Sequence, residues 1–347
     1  LFSTIAAEFS QLAMWYGIGV LGGLAALYGL MGWLTPQRVE WLLKGQGYLS
    51  LVFIVVSLGR WWWQIYRPEL QRLEALSSYG LNEAFDFSVL GLRNWYPLGH
   101  QNYVAGYLVL VVPLLIGLAL TDKTRQRWLW AIAVLLGIAD LYTTNSRGGT
   151  LAVLGLLVAL LVSIPFSGRV SRRIWLPASV VGAVLTGIFI LINPRFRASL
   201  AALSQGNLQG GGVIYRVITN LIGWHMGTAQ PWAGTGPGSV TGLFQRYRPW
   251  WAGREAELHY QLHSTPAQLW GELGIWGILI PSLGAVLLVV AVIRQRGRTE
   301  TESGWRLPTA WRWSLLAGLW GYSILSLTDY QLDVIAITGV LIIFMAV

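Results

Sequence analysis

Apolar stretches long enough to cross a bilayer recur along the chain, separated mostly by short polar links. Runs near 12–34, 45–59, 103–120, 128–144, 150–164, 174–192, 266–293, 313–328 and 334–347 read as about nine spans. None shows the every-other-residue alternation of a barrel strand, so the pattern predicts an all-α, polytopic transmembrane helical bundle. Two polar breaks are long. The first, 60–100, opens on Trp61, Trp62 and Trp63, which read as an interfacial aromatic cluster. The second, 193–265, separates the sixth and seventh spans and is partly helical, because Val213, Val217, Leu221 and Trp224 recur at helical spacing. The expected organisation is N-terminal transmembrane helices over 1–192, a large periplasmic loop over 193–265, and C-terminal transmembrane helices over 266–347.

Composition agrees with this pattern. Apolar residues make up 54% of the chain and charged residues 11%, where a soluble domain carries about a quarter charged. The net charge of +9 would suggest nucleic acid in a soluble protein. Here more than half of the 24 Lys and Arg fall in the short links at 35–44, 122–127, 167–173 and 294–312. By the positive-inside rule those links are cytoplasmic, and the breaks at 60–100 and 193–265 face outward. Membrane lipids, rather than nucleic acid, are the expected surroundings. With this parity Leu12 enters from the outer face, and an N-terminus truncated by an odd number of spans is expected. Cysteine is absent, which removes disulfides, thiol nucleophiles and cysteine metal sites. His100, His225, His259 and His263 show no paired helical spacing, so neither a metal nor a cofactor is expected.

Candidate chemistry gathers around the second break. His263 is followed by Ser264, Thr265 and Pro266, a helix-start pattern that places the imidazole at the positive end of a helix on the outer face. It is either an interfacial polar residue or a group able to orient or deprotonate a hydroxyl. Glu272 lies within the following span and needs a cationic or hydrogen-bonding partner there. Arg216 and Asn220 are four apart and share a helix face; Arg216 either snorkels or binds an anion. Arg147 stands in the tight NSRGG turn, where a permanent charge requires a carboxylate such as Asp140, Glu272 or Asp329, or else an anionic ligand. The GTGPG run at Gly234 to Gly238 reads as a turn, since it lacks the Lys and preceding strand of a phosphate loop.

Taken together and in order, GHQNYVAGYL from Gly99, NSRGG from Asn145, Tyr215 with Arg216, QPWAGTGPGSV from Gln230 and HSTPAQLWGELGIWG from His263 resemble the O-antigen ligase and polysaccharide polymerase superfamily. The resemblance covers about residues 99–277 and extends through the last spans. It implies a metal-independent, inverting glycosyltransferase of the bacterial inner (plasma) membrane. Such an enzyme moves a glycan from a polyprenyl-diphosphate carrier to a hydroxyl acceptor at the periplasmic face. It assigns catalytic positions to His263, Arg216 and Arg147, and directs Tyr215, Asn220, Gly236, Gly238, Ser264 and Glu272 toward substrate. Many members carry Asn after the His, where this chain has Ser264. One branch of the superfamily comprises cyanobacterial proteins linked to inorganic-carbon accumulation, so a transporter of bicarbonate or another anion is the second class of function, and an inactive assembly scaffold a third. Ligase and polymerase share the same donor chemistry and are not separated by these residues.

Overall fold

The structure is a computed structural model that describes residues 2–84, 94–167, 213–252, 260–297 and 307–347, with scattered positions between 168 and 212. All regular elements among the described residues are helical: α1 (Phe2–Ile5), α2 (Ser10–Trp33), α3 (Pro36–Trp61), α4 (Arg67–Ser78), α5 (Gln101–Thr121), α6 (Gln126–Thr143), α7 (Arg147–Ser167), α8 (Val213–Ala229), α9 (Val240–Leu243), α10 (Thr265–Leu273), α11 (Trp276–Gly297), α12 (Thr309–Ser326) and α13 (Ile335–Ala346). Among the described residues, three stretches are long and apolar enough to cross a membrane, namely Ser10–Trp33, Pro36–Ser78 and Gln101–Thr121. Shorter apolar helices cover Arg147–Ala159, Trp276–Ala291 and Ile335–Ala346. The chain is a membrane protein. Most of the sixth expected span, 174–192, lies outside the described residues.

The bundle is arranged around α5. Its sequence is apolar on every side, which suits a helix enclosed by others, and nearly all of it is buried against α3, α6, α7, α12 and α13. Close approach depends on small residues, as in membrane helix packing generally. A Cβ on Gly106 would stand 1.9 Å from the Gln331 side-chain oxygen. Gly106→Ala is therefore expected to displace Gln331 and destabilise the protein by about 1–3 kcal/mol, read as a lower unfolding midpoint in detergent. By contrast, α2 has none of its most apolar window buried, the condition of a helix whose sides face lipid.

A second, smaller core lies around α8. Ile218, Ile222 and Met226 of α8 pack with Val240, Leu243, Phe244 and Leu262, and α8 lies along α10. The helix expected from the spacing of Val213, Val217, Leu221 and Trp224 is present as α8.

Two expected boundaries change. The second span does not end at Gly59, because α3 continues through a wide turn at Trp62–Tyr66 into α4, so that the three tryptophans sit within a helix. Arg67 N–H bonds the Trp62 carbonyl five residues back. Pro68 follows immediately, and a widened turn gives room for a ring that would clash in a regular one. The seventh span is likewise two helices. The chain breaks at Gly274, whose φ of 60° ends α10, and Ile275 N–H turns aside to the Pro231 carbonyl at 2.8 Å. Past the end of the long polar break, α10 packs with α8 and α9.

Candidate functional site

His263 is placed by the start of α10. Ser264 caps the helix, its hydroxyl accepting from Ala267 N–H at 3.4 Å, and Pro266 follows in the first turn. Gln268 reaches back from one turn on, and its side-chain oxygen accepts the Leu262 N–H at 2.7 Å. The backbone on both sides of His263 is thereby tied to α10.

The imidazole is held by a residue from the other end of the chain. His263 Nδ1 lies 2.6 Å from Asp329 Oδ1 in the loop between α12 and α13. Asp329 is 2% exposed; its second oxygen accepts from Gln331 Nε2 at 3.1 Å, and its carbonyl accepts from Thr265 Oγ1 at 2.8 Å. A carboxylate against Nδ1 fixes the proton there and leaves Nε2 as the basic nitrogen. The His263 side chain keeps 25% of its surface exposed, so it remains reachable. The Tyr215 ring lies 5.4 Å from it and the His100 ring 6.1 Å.

Burial pushes the Asp329 carboxyl up, but the His263 hydrogen bond and charge, with Gln331, outweigh it and hold the group below its ordinary value. The folded state thus favours the ionised form. Its contribution to stability is present above about pH 4, the unfolded carboxyl value, and is lost as the pH falls further. Thermal unfolding followed from about pH 7 to pH 3 is expected to show a steeper acid loss for the parent chain than for Asp329→Asn.

Arg216 reaches the same loop from α8. Its Nη1 donates to the Thr328 carbonyl, next in sequence to Asp329, and its own carbonyl accepts from Asn220 Nδ2 at 2.7 Å. Arg216 and Asn220 stand at the edge of a cavity of about 810 Å³ between α8, α10 and α11, otherwise lined by apolar groups including Leu221, Trp224, Ala267 and Trp270.

The NSRGG turn arrives from a third direction. Arg147 begins α7 and is half-buried. A Cβ on the adjacent Gly148 would fall 2.6 Å from Thr328 Oγ1, so the turn backbone abuts the residue that Arg216 grips. Ser146 Oγ donates to Asn102 Oδ1 at 2.8 Å and accepts from Gly149 N–H at 3.1 Å. Asn102 belongs to the GHQN motif, and its carbonyl accepts from Gln331 Nε2 at 2.7 Å. Through these bonds the motif ties the Arg147 turn to the loop that holds Asp329.

Other expected residues separate. Gly236 N–H donates to the Glu272 carbonyl at 2.9 Å, and Glu272 Oε1 accepts from Gln268 Nε2 at 2.9 Å and from Val240 N–H at 3.5 Å. Gly236 and Gly238 hold φ values of 102° and 76°, and a Cβ on either would meet Ala7 or the Tyr16 ring within 2.5 Å. These three residues bind the far end of α10 to the N-terminal helices. Seven residues along α10 put Glu272 about 10 Å from Thr265. Asp140, one of the carboxylates expected near Arg147, accepts from Ser57 and Asn94, both at 2.9 Å.

Sequence reasoning missed the His263–Asp329 pair. Its only local signal is a pair of acidic residues, Asp329 and Asp333, in a short turn between apolar helices, where an ionisable group requires a partner.

No curated relative and no solved structure matches the chain. Over residues 132–282, the stretch that carries Arg147, Arg216 and His263, the chain matches the family model described as O-Antigen ligase, the superfamily that its motifs resemble.

Proposed function

We propose that this chain transfers a glycan from a polyprenyl-diphosphate carrier to a hydroxyl acceptor on the periplasmic face of the inner membrane. The observation that carries the reading is the convergence on Thr328 and Asp329. His263 is held through Nδ1, Arg216 is anchored one residue away, and an apolar cavity opens beside Arg216. The family match supports a membrane glycosyltransferase role in general.

In this reading His263 Nε2 takes the proton of the acceptor hydroxyl as its oxygen attacks the anomeric carbon, and Asp329 stabilises the imidazolium that forms. The bond between that carbon and the diphosphate oxygen breaks on the opposite side, inverting the centre. Charge appearing on the departing polyprenyl diphosphate is met by the guanidinium of Arg216, with Arg147 as the second cation. Forked donors suit phosphate oxygens, and fixed charge in a site shielded from water is an effective form of transition-state stabilisation. The carrier chain occupies the cavity beside Leu221, Trp224 and Trp270, where apolar lining matches an isoprenoid.

The test uses purified protein in lipid nanodiscs with the polyprenyl-diphosphate glycan extracted from its source cells. The expected products are elongated or ligated glycan and free polyprenyl diphosphate. Failure to release polyprenyl diphosphate with any acceptor, together with saturable bicarbonate uptake into proteoliposomes, would overturn the reading in favour of transport.

A further inference from the structure

The segment before His263 and the segment after Asp329 meet a second time. Gln261 Nε2 donates to Asp333 Oδ2 at 2.5 Å, two residues before and four residues after the members of the first pair. The oxygen of the same amide accepts from Tyr103 Oη at 2.6 Å, in the first turn of α5. The Tyr103 ring is 5.0 Å from that of His100, which in turn neighbours His263. A phenol, an amide and a carboxylate therefore form one chain beside the imidazole, toward α5, while Arg216 and the apolar cavity lie toward α8. Asp333 is exposed.

We infer that Tyr103, Gln261 and Asp333 form the subsite that binds the acceptor sugar, a neutral glycan presenting vicinal hydroxyls. The inference rests on the transfer reading above and specifies the acceptor side of the same site. An ionised carboxylate accepts hydrogen bonds only, and those from hydroxyls are short and strong. Gln261 and Tyr103 hold that carboxylate in one orientation, so little ordering remains when a diol docks. The same negative charge repels a diphosphate. Donor and acceptor are thus sorted by charge: the phosphate end goes to Arg216, and the uncharged sugar goes to Asp333. Gln261 and His263 are separated by one residue, so their Cα atoms stand at most about 7 Å apart, roughly the width of a sugar ring.

The experiment separates the two substrates. Donor is the extracted polyprenyl-diphosphate glycan. Acceptors are the same glycan freed from its carrier and a second, uncharged oligosaccharide, whichever supports transfer by the parent chain. Asp333→Asn is expected to raise the acceptor KM by about 10- to 100-fold, the loss typical of a hydrogen bond to a charged group, while the donor KM moves less than about twofold. Asp333→Glu is expected to recover part of the acceptor affinity. If acceptor KM is within about twofold of the parent value, or if donor and acceptor KM rise together with a lower unfolding midpoint, Gln261 and Asp333 are a structural clasp and the inference is wrong. If the parent chain releases no polyprenyl diphosphate under any condition, the transfer reading fails, and this subsite with it.

Discussion

His263→Ala is expected to lower the rate of glycan transfer by about 10²- to 10⁴-fold, the usual contribution of a positioned general base. Donor affinity should change little, because the groups facing the cavity are Arg216, Asn220 and apolar side chains rather than the imidazole. Asp329→Asn provides the companion measurement. The amide can still meet Nδ1 but no longer requires a proton there, so it releases the tautomer that leaves Nε2 basic and withdraws the charge that steadies imidazolium. Both substitutions should depress kcat with modest effects on KM. Transfer by His263→Ala at the parent rate would remove the proposed base, and with it the meaning given to the 2.6 Å contact with Asp329.

Arg216→Ala is the other large effect, with an expected loss of about 10²- to 10³-fold in kcat, the range for deleting one preorganised donor to developing charge. Arg216→Lys should restore little of it. The guanidinium is required at two places at once, with Nη1 fixed on the Thr328 carbonyl and its remaining donors available to phosphate. An ammonium is a point charge and cannot reproduce that fork. The informative comparison is between donors of different leaving-group acidity. If Arg216 offsets charge on the departing diphosphate, a better leaving group should narrow the gap between Arg216→Ala and the parent. An equal gap for both donors would reduce Arg216 to a scaffold residue.

Hydropathy made the helical class readable, because α5 is apolar over nearly all its length and carries no charge. It misjudged where helices stop. Tryptophan has an interfacial habit that made Trp61–Trp63 look like an end, yet nothing there terminates a helix until the turn after Ser78. The break at Gly274 was obscured for the opposite reason, since the residues on both sides are apolar and a positive φ leaves no mark on hydropathy. In the site, Ser264, Thr265 and Pro266 announced a helix start that the structure contains, since capping is a local matter of backbone donors. The partner of His263 was not readable in this way. Asp329 lies 66 residues away, and what joins the two is the packing of α12 and its following loop against α5 and α7. Glu272 illustrates a correct demand with an unforeseen answer. It needed a hydrogen-bonding partner and found Gln268, one turn back on its own helix.

The loop from Leu327 to Val334 bears on how the protein is made as well as on what it does. Asn102, Arg216 and His263 precede it in sequence and leave the ribosome first, and each is bonded to an atom of Thr328, Asp329 or Gln331, while the turn at Gly148 packs against Thr328. A nascent chain that has not yet inserted α12 therefore holds its cations and its imidazole with no keystone between them. In the transfer reading, the candidate site therefore comes together only once α12 and the loop after it are in place.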